Sequence, residues 1–192
     1  KLVTKAKGNH GGKQFVAITD PGTGLEKMAR DYGFGQIFTN PADIGGRYSV
    51  LSLFGLVPAS LLGLDITRLL DRAASMAERC RQQEDVKANP GAYLGAVMAS
   101  LAKTGRDKVT VIASPSLATF GLWVEQLLAE STGKEGTGLI PIAQEPILRP
   151  RAYGTDRFFV YLKLKGEKNQ TLDDAVHALV KAEHPVLQCD LR

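Results

Sequence analysis

The sequence is poor in the residues that build metal sites and disulfides. It has only two cysteines, Cys80 and Cys189, which lie far apart without a Cys-x-x-Cys pattern, and three histidines. His177 and His184 are seven residues apart, on roughly one face of a helix, but no third ligand lies near them in the sequence. We therefore predict no metal site. Two unpaired thiols are typical of a reducing compartment, so we expect a cytoplasmic protein.

Long hydrophobic runs are also missing. The longest apolar stretch, Val50 to Leu64, is interrupted by Ser52, Gly55 and Pro58. A bilayer requires about 20 consecutive apolar residues in a helix. We therefore expect no membrane partner and predict that this stretch belongs to a protein core.

Positive charge is in slight excess but is scattered along the chain. The 24 Lys and Arg residues against 20 Asp and Glu residues give a formal net charge of +4. A nucleic-acid binder needs a basic patch or a basic run interleaved with aromatic residues, and the chain has no such run. The charge pattern therefore argues against a nucleic-acid partner.

The sequence does contain a regular alternation of strand and helix patterns. Short apolar runs predict strands over residues 14–19, 36–39, 108–113, 138–143, 157–164 and 186–190. Helical periodicity predicts helices over residues 1–7, 25–32, 50–62, 65–83, 91–104 and 171–182, with a polar loop and domain join near 82–90. Thr171 and Asp174 have the spacing of a capping box for the last helix. This alternation predicts an α/β fold with a parallel sheet and helices on its faces.

One helix ends in a stretch that carries polar side chains of chemical interest. Residues 120–138 contain an apolar helical run that breaks into the glycine-spaced turn Ser-Thr-Gly-Lys-Glu-Gly. Gln126 and Glu130 are four residues apart, so they lie on one face of this helix. A carboxylate at a helix C-terminus faces the negative end of the dipole and gains nothing there. A proton-transfer role for Glu130 would explain the placement; a solvated surface glutamate is the alternative.

A second candidate, Arg47, follows a diglycine. In an open parallel sheet, ligands bind beyond the carboxyl ends of the strands. The loops predicted at that edge are residues 20–23, 40–47, 114–116 and 143–146. Gly45 and Gly46 would let the backbone come close to a ligand, and the permanently charged guanidinium of Arg47 needs an anionic partner. That partner is either a ligand or a nearby Asp or Glu.

Two motifs carry a resemblance to a known family. Residues 40–55, NPADIGGRYSVLSLFG, resemble the Gly-Gly-Arg-(Phe/Tyr)-Ser signature of glucose-6-phosphate isomerases. Residues 123–134, WVEQLLAESTGK, resemble the Gln-x-x-x-Glu-Ser-x-Gly-Lys segment of the same family, in the same order. The variants DIGGRYSVLS, AESTGKEG and YGTDRFFVYL are most similar to the isomerase half of the fused bifunctional transaldolase/glucose-6-phosphate isomerases.

The resemblance implies a fold and an activity. The fold would be the sugar-isomerase (SIS) type, a three-layer α/β/α sandwich, with residues 1–66 ending a first SIS domain and residues 67–192 forming most of a second. The activity would interconvert glucose 6-phosphate and fructose 6-phosphate through an enediolate, in glycolysis and gluconeogenesis. The substrate would be a sugar phosphate, no cofactor is implied, and the full-length protein would be a homodimer.

The resemblance also implies roles for five residues. Glu130 would be the base that moves the proton, and Arg47 would stabilise the enediolate. Gly46, Gln126 and Lys134 would contact the substrate.

The chain departs from the family pattern at one functional position. Glu145-Pro146 is present, but the region near Gly154 to Arg157 lacks the family's ring-opening histidine, so ring opening has no assigned residue. The family's phosphate loop and C-terminal lysine helix would lie outside these 192 residues. We therefore expect a piece of a longer protein that does not turn over substrate alone. A non-catalytic sugar-phosphate-binding SIS module of a regulator is the alternative.

Overall fold

The structure, a computed structural model, describes residues 2–81 and 85–192. The chain divides into two compact units, residues 1–78 and residues 79–192. This division falls in the last turn of the helix Ile66–Cys80. The sequence resemblance places a boundary after residue 66, between two copies of one domain; this assignment stays a prediction.

The first unit is a short βαβ arrangement followed by helices. Its elements are helix α1 (Leu2–Lys7), a 3-10 helix (Gly8–Gln14), strand β1 (Val16–Thr19), helix α2 (Gly24–Asp31), strand β2 (Gln36–Thr39), a second 3-10 helix (Gly46–Leu51), helix α3 (Leu53–Leu61) and most of helix α4 (Ile66–Cys80). Strands β1 and β2 are parallel, with Val16 opposite Gln36 and Thr19 opposite Thr39. The side chain of Thr23 caps α2 by accepting a hydrogen bond from Glu26 N. The predicted parallel strands and the α2 helix are therefore confirmed.

The apolar stretch Val50–Leu64 differs from its prediction. Within the described residues, Ser52 is its one buried residue, whereas Leu61 and Leu62 are 79% and 80% exposed. The helix α3 starts at Leu53 rather than at Val50, because Ser52 ends the 3-10 helix and caps α3 through Phe54 N. Two four-residue strands offer too little surface to cover this stretch, so the prediction of a core position is wrong for this unit.

The second unit is built on a four-stranded sheet. Its elements are helix α5 (Pro90–Lys103), strand β3 (Lys108–Ala113), a 3-10 helix (Pro115–Leu117), helix α6 (Phe120–Thr132), strand β4 (Ile140–Ala143), a 3-10 helix (Pro150–Ala152), strand β5 (Arg157–Leu164), helix α7 (Gln170–Lys181) and strand β6 (Val186–Leu191). The strand order is β4-β3-β5-β6, and all three pairings are parallel. The connection after β3 leads to one side of the sheet and the connection after β5 to the other.

Two apolar cores cover the two faces of this sheet. On one face, side chains of α5 and α6, including Leu101 and Leu128, pack against the buried Val109 and Phe158. On the other face, Val176 and Leu179 of α7 pack with the fully buried Phe159 and Tyr161. The second unit is therefore a three-layer α/β/α sandwich with a parallel sheet, as predicted; the SIS type remains a prediction.

The start of α7 corrects another prediction. The helix begins at Gln170 with Asn169 as its N-cap residue, so Thr171 is not the N-cap and does not form a capping box with Asp174; the Asn169 side chain makes no capping hydrogen bond. The buried Asn169 is engaged elsewhere. Its Oδ1 accepts a hydrogen bond from Ser114 Oγ at 2.8 Å, and its Nδ2 donates to Leu164 O at 2.9 Å. The amide therefore joins the ends of β3 and β5 instead of capping the helix.

Three residues shortly after α4 and the first residue of the chain lie outside the described ranges. Residues 82–84 belong to the predicted loop at 82–90, and residues 82–83 also belong to the helix predicted over 65–83; these residues lie outside the described ranges. The same holds for Lys1 of the predicted first helix. Within the predicted loop, residues 86–88 form a turn. Both cysteines are free thiols, and burial raises the pKa of Cys189. In the two described ranges, no helix combines the length and apolarity needed to cross a membrane.

Candidate functional site

The diglycine and Arg47 lie in a loop that is tied to the sheet of the first unit. Asn40, the first residue after β2, is 2% exposed. Its backbone N–H donates to Thr19 O at 2.8 Å, and its side-chain Oδ1 accepts from Leu53 N at 3.1 Å. The loop that carries Gly46 and Arg47 is therefore closed at its base, because one buried amide connects the end of the strand to the start of α3.

The structure has room for a side chain at Gly46. Its backbone lies at the start of a 3-10 helix and is not left-handed. A Cβ built at this position would meet no described atom within 4 Å. By contrast, a Cβ at Gly55 would lie 2.0 Å from Val50 O. Packing explains Gly55, whereas Gly46 leaves open backbone surface beside Arg47.

Arg47 is half-buried next to this open backbone. Its guanidinium carbon lies 4.9 Å from the centroid of the Tyr48 ring, within the range of a cation–π contact. The Tyr48 ring is itself 57% exposed. Tyr48 N donates to Gly45 O at 2.9 Å, and this bond forms the first turn of the 3-10 helix. Arg47 thus has an aromatic neighbour that limits the directions of its side chain.

The second group of candidate residues lies on α6. One face of this helix contacts the sheet: Leu128 packs against the core, and a Cβ at Gly121 would lie 3.1 Å from the Cβ of Ala143. At 3.6 residues per turn, Gln126 and Glu130 lie about 140° and 180° round the helix from Gly121. Both are exposed. The sequence prediction that they share a face is confirmed, and that face points away from the sheet.

The turn after α6 is a hydrogen-bonded hairpin. Lys134 N donates to Thr137 O at 3.1 Å, and Thr137 N donates to Lys134 O at 3.0 Å. The central residues Glu135 and Gly136 both have positive φ angles, 54° and 74°. These values define a type I′ turn. Lys134 is exposed on it, two residues beyond the end of α6.

Thr132 joins the end of α6 to the start of the next strand. Its hydroxyl donates to Leu128 O at 2.7 Å and accepts from Leu139 N at 2.9 Å. Sequence reasoning singled out neither this residue nor Asn40 as a site component. Both residues lie within the two motifs, but the backbone N–H groups that donate to their side chains lie seven residues beyond Thr132 and thirteen beyond Asn40, so spacing alone does not reveal them.

A third polar group lies near the carboxyl end of β5. The fully buried Tyr161 donates from its hydroxyl to Asp173 Oδ1 at 3.0 Å, and Lys163 Nζ lies 2.8 Å from the same oxygen. Burial first, and then the hydrogen bond to Asp173, raise the pKa of Tyr161 to about 12. The hydrogen bond from Lys163 lowers the pKa of Asp173. These groups anchor α7 to the sheet and include none of the predicted site residues.

The five predicted site residues therefore form two local groups. Gly46 and Arg47 are neighbours in the first unit, and Gln126, Glu130 and Lys134 follow one another along α6 and its turn in the second. Convergence of Arg47 and Glu130 on one substrate stays a prediction. Three cavities in the described part of the second unit, of about 560, 590 and 340 Å³, are lined by none of the five.

Comparison with known proteins points to one enzyme. No protein-family model matches the chain. Over 145 residues it is 32% identical to a glucose-6-phosphate isomerase of Enterococcus faecalis, covering 75% of this chain and 32% of that protein. Over 133 residues it is 39% identical to a probable glucose-6-phosphate isomerase of Methanococcus maripaludis, covering 68% of this chain and 29% of that protein. A Nostoc punctiforme glucose-6-phosphate isomerase is 40% identical over 122 residues, 62% of this chain and 23% of the relative.

A solved structure supports the fold. The crystal structure of a hypothetical protein from Thermus thermophilus matches 98% of this chain with a TM-score of 0.85, and the match covers 54% of that protein. The sequences are 20% identical, so this likeness concerns the fold alone. Over roughly two thirds to three quarters of its length the chain is similar in sequence to glucose-6-phosphate isomerases, and it spans about a third or less of those relatives.

Proposed function

We propose that this chain is part of a glucose-6-phosphate isomerase, an enzyme that interconverts glucose 6-phosphate and fructose 6-phosphate. The observation that carries the proposal is the 32–40% identity to glucose-6-phosphate isomerases over 62–75% of the chain. The exposed Gln126 and Glu130 on the outer face of α6 and the open backbone of Gly46 beside Arg47 are consistent with it.

The reaction requires a base and a cation. Moving a carbonyl between C1 and C2 of the open-chain sugar requires one base to take the proton from C2 and return it to C1. We assign this role to Glu130; a positioned carboxylate contributes roughly 10²–10⁴-fold in rate. Negative charge builds on the substrate oxygens in the enediolate. We assign its stabilisation to Arg47, and a preorganised cation at such an oxygen contributes roughly 10²–10³-fold.

Three further residues complete the proposed site. Gln126, one helical turn before Glu130, would hydrogen-bond a substrate hydroxyl, and Lys134 on the type I′ turn would contact the sugar phosphate. At Gly46, the bare backbone would let the substrate lie against the loop. The chemistry is a proton transfer between adjacent carbons and needs no redox or organic cofactor.

The resemblance of the motifs supports finer statements as well. We propose that both units are SIS domains, that the intact protein is a cytoplasmic homodimer acting in glycolysis and gluconeogenesis, and that it does not bind nucleic acid. The variants DIGGRYSVLS, AESTGKEG and YGTDRFFVYL support a fused transaldolase half. The reading frame upstream of Lys1 tests the fusion directly, since it must then encode a transaldolase.

The decisive variant is Glu130→Gln in the intact protein. Its amide keeps the shape of the side chain and removes the base, so we expect kcat to fall by roughly 10²–10⁴-fold while sugar-phosphate binding remains. Glu125→Gln is the matched control, because Glu125 is also exposed on α6 and carries no proposed role. An unchanged kcat in Glu130→Gln contradicts the assignment. A wild-type protein that binds sugar phosphates without converting them would identify a regulator instead.

The isolated 192 residues provide a second test. We expect them to fold at least in part but not to turn over substrate, because the resemblance implies that the phosphate loop and the C-terminal lysine of the site belong to other parts of the protein. Isomerase activity clearly above the blank would contradict that expectation.

A further inference from the structure

The last turn of α6 carries Glu130, and helix ends are the part of a helix that frays most readily. The final carbonyl groups of a helix have no partner within it and must be satisfied from outside. Glu130 is only two residues from the end of α6 at Thr132. A base whose position shifts by about 1 Å can lose roughly 10²-fold in rate. The proposed reaction therefore needs something that holds this turn in place.

Thr132 provides two hydrogen bonds at this point. Its Oγ1 donates to Leu128 O inside the helix at 2.7 Å and accepts from Leu139 N beyond the turn at 2.9 Å. The turn also approaches the helix end closely. A Cβ at Gly138 would lie 2.9 Å from the Cα of Gly133 and 3.0 Å from Thr132 O.

The partner of Thr132 is part of the buried core. Leu139 is 9% exposed and packs in the cluster that contains Val109, Phe158 and Val160. Leu128, whose carbonyl receives the other hydrogen bond, packs against the same cluster. A single hydroxyl therefore connects the last turn of α6 to the buried residue that directly precedes β4.

We propose that Thr132 is a positioning residue for Glu130: its hydroxyl fixes the last turn of α6 to the core, so that the carboxylate on the opposite face stays in the geometry for proton transfer. This inference rests on the proposed isomerase function and adds a residue that the sequence motifs did not assign. Thr132 itself does not touch the substrate in this arrangement.

A hydroxyl that only bonds back within its own helix would not have this effect. Thr104, at the end of α5, provides the comparison: its Oγ1 donates to Leu101 O at 2.8 Å, and it makes no described contact with a strand through its hydroxyl. Both residues are threonines at a helix C-terminus in the same unit. Thr132 is half-buried in the last turn of α6 and Thr104 is the exposed residue that follows α5, and the bond from Leu139 N is found at Thr132.

The test uses Thr132→Val and Thr132→Ser in the intact protein, with Thr104→Val as the matched control. In Thr132→Val, which keeps the side-chain shape without the hydroxyl, we expect kcat to fall by roughly 10- to 100-fold with KM within about twofold. The amide of Leu139 should also lose protection against hydrogen exchange. Thr132→Ser should restore kcat to within about threefold, and Thr104→Val should match the wild type. If Thr132→Val does not fold, Thr132→Ala takes its place.

Three results would each overturn the role of Thr132. A kcat in Thr132→Val within about twofold of the wild type would overturn the inference, and so would an equal loss in Thr104→Val or a failure of Thr132→Ser to recover. A wild-type protein without isomerase activity would instead overturn the proposed function, and this inference with it. Activity in the wild type therefore separates the two failures.

Discussion

The side-chain oxygen of Asn40 accepts a hydrogen bond from the backbone N–H of Leu53 at 3.1 Å. The two residues bracket the loop that carries Gly46 and Arg47, and Asn40 is 2% exposed. A buried donor that loses its acceptor costs about 1–3 kcal/mol.

We therefore expect Asn40→Ala to lower the free energy of unfolding by about 1–3 kcal/mol. The amide of Leu53 should exchange its hydrogen faster, because its acceptor is gone. Ser75→Ala is the control, since Ser75 makes an exposed bond to Asp71 O and should change stability by less than about 0.5 kcal/mol. Urea unfolding together with hydrogen exchange makes the measurement; equal effects of the two variants would show that Asn40 does not hold the loop.

A second prediction concerns Gly46. Gly46→Ala should leave stability within about 0.5 kcal/mol of the wild type, because the added Cβ meets no described atom. If the substrate lies against this backbone, kcat/KM should fall at least about tenfold, since a methyl group displaces the reacting carbons. Gly24→Ala, which also points into open space, should leave activity unchanged. Full activity in Gly46→Ala would rule out close approach of the substrate at this position.

The ion pair between Arg157 and Glu145 gives a third prediction. Arg157 Nη1 lies 2.6 Å from Glu145 Oε2, and the two side chains are 14% and 25% exposed. Arg157 also donates to Thr110 Oγ1 at 2.8 Å. We expect Glu145→Gln to cost about 1.5–3 kcal/mol, the range for hydrogen bonds to charged groups.

The surface pair Lys27–Asp31 is the matched control for this measurement. Its N–O distance is also 2.6 Å, but its side chains are 77% and 57% exposed. Asp31→Asn should therefore cost less than about 1 kcal/mol. Equal costs in urea unfolding would mean that burial does not strengthen the pair of Arg157.

The fourth prediction concerns alkaline pH. Burial, and then the hydrogen bond to Asp173, raise the pKa of Tyr161 from 10.0 to about 12. The folded state favours the neutral phenol, so this contribution to stability is complete below pH 10.0 and is lost as the pH rises through about 12. Ultraviolet titration should show the Tyr161 phenol ionising with a pKa of about 12. Asp173→Asn should lower its pKa without restoring 10.0, whereas Asp174→Asn should not move it. A Tyr161 that titrates near 10.0 in the wild type would contradict this.

The fifth prediction concerns acid. Because Lys163 lowers the pKa of Asp173 below its ordinary 3.8, the ionised carboxylate contributes stability above pH 3.8 that is lost as the pH falls through the folded value. Asp173→Asn should therefore flatten the acid side of the stability profile in urea unfolding at successive pH values. An unchanged slope would show that the pair with Lys163 makes no contribution.

Local patterns predicted most of the elements. Strands β3 and β5 have the predicted bounds, because each is a mostly apolar run bounded by polar or glycine-containing turns. The capping box predicted at Thr171 and Asp174 is wrong: the N-cap residue is Asn169, and its side chain bonds to Ser114 and Leu164 rather than to the helix. Such a tertiary hydrogen bond leaves no trace in residue spacing.

The candidate site was only partly predictable. The shared face of Gln126 and Glu130 follows from helical geometry alone. The type I′ turn could not be predicted from the sequence, because Glu135, at a φ of 54°, replaces the usual Asn or Gly at the first central position of the turn. The anchoring roles of Asn40 and Thr132 depend on partners that only folding brings near.

The strand order has a consequence for biosynthesis. β3 lies between β4 and β5, and both of these neighbours are translated after it. A ribosome must deliver the chain as far as Leu164 before both edges of β3 are paired. Until then an apolar strand is available to other nascent chains, and such unpaired edges are prone to aggregation. We therefore expect the yield of soluble protein to depend on how quickly residues 114–164 are synthesised.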